Sequence, residues 1–136
     1  IFELRIYEVL DGKMDDWVAY MEQVIIPYQT DMGMRITKRY RSSDGDQTYV
    51  WMREYDSKTE YKKLTRAVYG SERWKVEMGP MARSLINVDT MRVETLVEIT
   101  PETMPETMKG CIVEHVLQTM RETLLVTILE LIQEPV

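Results

Sequence analysis

The chain has one cysteine, Cys111, in 136 residues, so no disulfide can form within it. That scarcity fits a reducing compartment, and the cytoplasm is the expected location. It also has one histidine, His115, with no second histidine, cysteine or carboxylate cluster at metal-ligand spacing. No metal and no cofactor are therefore expected, and His115 reads as a surface or capping residue. No run of about 18 uncharged apolar residues occurs, so no membrane-spanning helix is expected. The first strand opens at Ile1, and no signal peptide is expected within this sequence. It has no glycine loop to cradle a phosphate, no nucleophile elbow, and no histidine beside Cys111 to make it a nucleophile.

Charge of one sign is also missing from most of the chain. Residues 1–93 hold fifteen acidic and fifteen basic side chains. The net charge of −6 comes from the remainder, where eight glutamates face only Lys109 and Arg121. A chain without a basic face is a poor binder of nucleic acid, and none is expected as a partner. The one local basic cluster is Arg35, Lys38, Arg39 and Arg41. Eleven methionines fall at helical spacings and read as core filling.

What remains is a patterned α+β chain. Ile1 to Val9 alternates as a strand, with Phe2, Leu4 and Ile6 on one face and Glu3, Arg5 and Tyr7 on the other. After the Asp11-Gly12 turn, Met14, Trp17, Val18, Met21, Val24, Ile25 and Tyr28 form a helical stripe. Pro27 should end or kink that helix, and Gly33 should stop it. Met34 to Arg41 and Gln47 to Asp56 read as a hairpin about Ser43-Asp44-Gly45-Asp46. Ser57 and Glu60 have capping-box spacing before a helix carrying Tyr61, Leu64, Ala67 and Val68. Tyr69-Gly70-Ser71 interrupts it, and Gly79-Pro80 should break the piece that follows. Val88 to Ile99 is a fourth strand.

The order β-α-β-β-α-β is the split arrangement of ferredoxin-like folds, with a four-stranded antiparallel sheet. The third strand sorts Val50 and Met52 to one face and Tyr49, Trp51, Arg53 and Tyr55 to the other. The aliphatic face is expected to carry the helices. The aromatic and charged face, with Glu3, Arg5, Tyr7 and Arg92, is then left bare and needs a second copy or a ligand to cover it.

Several segments resemble the NIPSNAP family: Glu3-Leu4-Arg5-Ile6-Tyr7, Gly12-Lys13, Trp17, Pro27, Gly33, Asp44-Gly45, Val50-Trp51-Met52-Arg53 and Tyr55-Asp56. Ala67-Val68-Tyr69-Gly70-Ser71-Glu72-Arg73-Trp74 is similar too. The resemblance covers roughly residues 1–97. Tyr40 stands where the family often has a tryptophan. The resemblance implies membership of the dimeric α/β-barrel superfamily, in which two ferredoxin-like subunits pack their open sheet faces together. It carries over no catalytic residues.

The expected organisation is thus a domain over 1–99 and an acidic extension over 100–136. The extension opens with Pro-Glu-Thr-Met twice, at Pro101 and Pro105. Val113, Leu117, Met120, Leu124, Ile128 and Leu131 then point to an amphipathic helix from about Glu106 to Gln133, although Leu124-Leu125-Val126-Thr127-Ile128-Leu129 also suits a strand. A helix so apolar should dock on its own domain or on another copy.

The candidate site is Glu3, Arg5, Tyr7, Trp51, Arg53, Tyr55 and Arg92. Two readings stay open. In one, Arg5 and Arg53 pair with Glu3 and Glu94 and tie the sheet; in the other, spare guanidinium groups and aromatic planes bind a small anionic or aromatic molecule. The expected function is that of a homodimer or higher homo-oligomer of unassigned role, with a small molecule in its barrel cavity. The alternative is a cofactor-free monooxygenase or isomerase of the barrel type.

Overall fold

The computed structural model describes residues 1–103 and 106–133, with side chains for all of these except 106–113. Two compact units divide the chain, Ile1–Glu98 and Ile99–Val136.

In the first unit β1 (Phe2–Val9) is followed by α1 (Met14–Tyr20), a π turn (Met21–Ile25) and α2 (Ile26–Asp31). The hairpin is β2 (Arg35–Arg41) and β3 (Thr48–Glu54). Then come α3 (Lys58–Tyr69), a second π turn (Trp74–Met78), α4 (Gly79–Leu85) and β4 (Ile86–Leu96). The sheet order is β2-β3-β1-β4, antiparallel throughout, which is the ferredoxin-like arrangement. Ser57 caps α3 as its spacing foretells: its hydroxyl accepts from the Glu60 backbone N–H at 3.1 Å.

Neither proline breaks its helix. The backbone N–H of Ile26 reaches back to the Met21 carbonyl, and that of Gly79 to the Trp74 carbonyl, a five-residue step in each case. Pro27 and Pro80 come immediately after these donors. A proline has no N–H to give, and its ring collides with the carbonyl four residues back; widening the preceding turn relieves both. The same device therefore recurs in both halves of the split fold.

The helices cover the face that the sequence reading left bare. Tyr7, Tyr49, Trp51, Arg53, Tyr55 and Glu3 are buried, and Tyr7, Tyr49 and Trp51 form one core cluster with Trp17, Met21, Ile25, Ala82 and Leu85 of the helices. Met34, Tyr55 and Val68 form a second cluster. The expectation of helices on Val50 and Met52 is thus reversed: those residues, with Phe2, Leu4 and Ile6, are only half-buried on the outer face. The physical reason is pairing. Glu3 and Arg53 pair with each other, and Gln29 and Tyr69 of the helices take up further Arg53 donors, so this charged pair can be buried beneath the helices; the aliphatic face has no helix of this unit upon it.

The second unit carries α5 (Glu106–Gln133), with the bounds its apolar spacing suggests. The expected single stripe is too narrow a description. Leu125, Val126, Leu129 and Ile132 are exposed alongside Leu117, Met120, Leu124, Ile128 and Leu131, so apolar groups surround much of the helix. His115 is exposed. Met104 and Pro105 of the repeated tetrapeptide, and the side chains of Cys111 and Val113, lie outside the described residues.

Candidate functional site

The inner face and its helices enclose a cleft of about 480 Å³. Its sheet wall is Glu3, Arg5, Tyr7 and Trp51; α1 and the first π turn add Trp17, Met21 and Ile25; Trp74, Gly79, Ala82 and Arg83 close the other side. All three tryptophans of the chain line it. Both π turns contribute walls, so the local widening at each proline also shapes the cleft.

Register places the charged residues. Glu3 lies opposite Arg53, and Arg5 opposite Trp51, across the β1–β3 ladder. The Glu3 carboxylate accepts from Arg53 through Nε at 2.9 Å and through a shorter contact from Nη2. The same oxygen accepts from Arg5 Nη1 at 3.3 Å. Glu3 and Arg53 side chains are fully buried, and that of Arg5 is 11% exposed. Two guanidinium groups thus share one carboxylate, and the cluster carries one excess positive charge.

Arg53 lies beneath the cleft, and each of its three guanidinium nitrogens has a partner. Its Nη1 donates to Gln29 Oε1 at 2.9 Å, to the Tyr69 hydroxyl at 2.9 Å and to Met34 Sδ at 3.2 Å. It thereby ties β3 to the ends of α2 and α3, and stacks 4.8 Å from the Trp51 ring. Arg5 is less occupied. Its Nε donates to the Tyr7 hydroxyl at 2.7 Å, and its Nη2 meets only Met91 Sδ at 3.6 Å. N–H groups on both terminal nitrogens are left without an oxygen partner among the described residues.

Burial pushes the Glu3 carboxyl up, but Arg53 and Arg5 outweigh it and hold the group below the ordinary carboxylate range. Burial pushes the Tyr7 phenol up, against the pull of Arg5, so it keeps its proton. The buried indole N–H groups of Trp17 and Trp51 have no hydrogen-bond partner among the described residues.

Of the seven expected site residues, Glu3, Arg5, Tyr7 and Trp51 line the cleft and Arg53 underlies it. Tyr55 sits apart, edge-on to Tyr61 at 5.0 Å in the second cluster. Arg92 does not belong with them. It lies opposite Ile6, on the outer face, and pairs with Glu94. Glu94 is therefore no partner of Arg5 or Arg53; strand alternation places it beside Leu4. Gln29, Tyr69, Trp74 and Arg83 were not anticipated. Only Tyr69 and Trp74 had a signal, in the Tyr69-to-Trp74 segment. The basic cluster on β2 is largely neutralised: Arg35 pairs with Asp56 at 2.9 Å, Arg41 with Asp15 at 2.8 Å, and Arg39 with Glu22. Among the described residues no group of three or more His, Cys, Asp or Glu could hold a metal ion. None of the described helices is long and apolar enough to cross a membrane.

Sheet order and helix placement define a ferredoxin-like α+β protein with a charged, tryptophan-lined cleft between sheet and helices. The chain belongs to the NIPSNAP family, whose sequence profile matches residues 2–109. It is similar to an uncharacterized NIPSNAP domain protein from Burkholderia xenovorans, at 15% identity over 77% of this chain and 98% of that one, with a TM-score of 0.64. A NIPSNAP family protein from Agrobacterium tumefaciens matches at 20% identity over 74% and 88%, with a TM-score of 0.60. A dimeric ferredoxin-like protein from an uncultured marine organism matches at 10% identity over 73% and 96%, with a TM-score of 0.50. At these identities the likeness is one of fold. Among curated proteins none matches this chain.

Proposed function

We propose that this protein is a homo-oligomer, at least a dimer, in which each copy binds a small anionic or aromatic molecule in the cleft between its sheet and helices. The observation that carries this reading is the Glu3–Arg5–Arg53 cluster, whose surplus cation borders a cleft walled by three tryptophans. A buried cation without a full partner is costly, and an anion in the cleft would complete it.

Assembly follows from the other face. Phe2, Leu4, Ile6, Val50 and Met52 form a half-buried aliphatic strip, edged by the Arg92–Glu94 pair. Two such strips packed together would bury apolar surface at about 25 cal/mol per Å². The solved relative described as dimeric has the same fold, which supports the reading. The second copy thus covers the aliphatic face, while Trp51 is already closed in by its own chain.

A second reading, a cofactor-free monooxygenase or isomerase, is favoured by one feature. The unpartnered Trp51 indole and Arg5 border one cleft, where they would steady an oxyanion developing on a substrate. Native mass spectrometry of freshly purified protein tests the primary reading. Two or more chains with a retained small molecule support it; a bare monomer that takes up no aromatic or anionic compound overturns it.

A further inference from the structure

Three donor-bearing residues of the cleft, Arg5, Tyr7 and Trp51, stand together, and what they could hold deepens the binding reading on which this inference rests. We infer that the Tyr7 hydroxyl, the terminal nitrogens of Arg5 and the indole N–H of Trp51 form one anion seat, and that its ligand is a single carboxylate or phenolate on a flat apolar body.

Three observations converge on this seat. The Tyr7 oxygen accepts from Arg5 Nε at 2.7 Å, so its own proton is free to be donated. Trp51 stands edge-on to Tyr7 with ring centroids 6.2 Å apart, and its guanidinium neighbour Arg5 is 6.0 Å from the indole. Trp51 is 1% exposed and its N–H has no partner among the described residues. A buried donor left unmet is costly, and in a cleft wall its natural partner is a ligand oxygen.

The charge count sets the class of ligand. The buried cluster has two guanidinium groups and one carboxylate, so one negative charge balances it. Apart from the hydroxyls of Tyr61, Thr65 and Tyr69 and the Trp17 indole N–H, the rest of the wall is mostly apolar, with Met21, Ile25 and Ala82 among it, and suits a flat ring. A phosphate dianion would bring more charge than the seat has cation to meet. Arg83 at the rim is exposed and makes no ion pair among the described residues; it is placed to meet the anion on entry.

Calorimetric titration of the full chain with 1-naphthoate, 1-naphthamide and 1-naphthylmethylamine tests the seat. Naphthoate should bind at least about tenfold tighter than the amide, with the amine weakest. Tyr7→Phe, which keeps the ring, and Trp51→Phe, which keeps an aromatic group but removes the indole N–H, should each weaken naphthoate about three- to tenfold and narrow its lead over the amide. Arg5→Gln should abolish that lead; the two phenylalanine variants keep the test alive should this one not fold. Equal binding of acid and amide overturns the anion seat while leaving the cleft a binding site. Binding of none of the three overturns both. A preference lost in Arg83→Gln but kept in Tyr7→Phe and Trp51→Phe puts the anion at the rim, and the assigned seat is wrong.

Discussion

Glu3 is the residue on which the interior turns. Its one carboxylate is shared by two guanidinium groups in a dry environment, so replacing it leaves both without a counter-charge. Glu3→Gln is expected to destabilise the domain by about 3–5 kcal/mol, the cost of breaking a buried pair. Urea melts at neutral pH measure this; a loss below about 1 kcal/mol would mean that water already screens the cluster. The pH dependence follows from the sign of the shift. Because the folded protein holds Glu3 below its ordinary value, the stabilisation is complete above the unfolded carboxylate range, near pH 4, and fades as pH falls through the folded value. At the other end, burial raises the Tyr49 and Tyr55 phenols. Their contribution is complete below about pH 10 and is lost as pH rises further. Wild-type stability should therefore fall at both extremes, and Glu3→Gln should flatten the acid limb alone. An unchanged acid limb in that variant would place the titrating group elsewhere.

At the scale of elements, alternation sorted each strand into two faces but could not say which face the helices take. Val50 and Met52 look like core and Tyr49, Trp51 and Arg53 do not, if the strand is read alone. The deciding groups lie outside the strand: Gln29 at the end of α2 and Tyr69 at the end of α3 satisfy Arg53 and allow it to be buried. A lone glutamine within a helical stripe gives no sign of that role. The fold itself was legible because its signals are local, namely turns at positive-φ Gly12, Gly33 and Gly45, the Ser57 cap and alternation within strands. The helix interruptions were half legible. Both prolines mark real irregularities, yet a π turn absorbs each and the helix continues. Gly79 belongs to this device, since a Cβ there would lie 3.0 Å from the Trp74 carbonyl and 3.2 Å from its indole nitrogen. Gly79→Ala should displace the Trp74 ring and lower stability by about 1 kcal/mol. Thermal melts with tryptophan fluorescence read both effects; a stabilised variant with unchanged emission would show that the turn has room to spare.

For the whole molecule, the two units make separate predictions. A chain ending at Glu98 should keep a cooperative melt, because the two core clusters draw only on residues before that point. Association beyond the dimer is expected to change instead, since the apolar surface of α5 is then absent. Loss of cooperativity in the truncated chain would make the extension part of the domain's core.

Self-association is assigned to the aliphatic strip and ligand binding to the opposite side of the same sheet, so one substitution should separate them. Ile6→Asp puts a charge in the middle of the outer face and leaves the cleft lining untouched. Native mass spectrometry of this variant with added 1-naphthoate reads subunit number and occupancy in one spectrum. The account predicts a monomer carrying one naphthoate. A variant that remains dimeric, or a monomer that has lost the ligand, would contradict the assignment of the two faces.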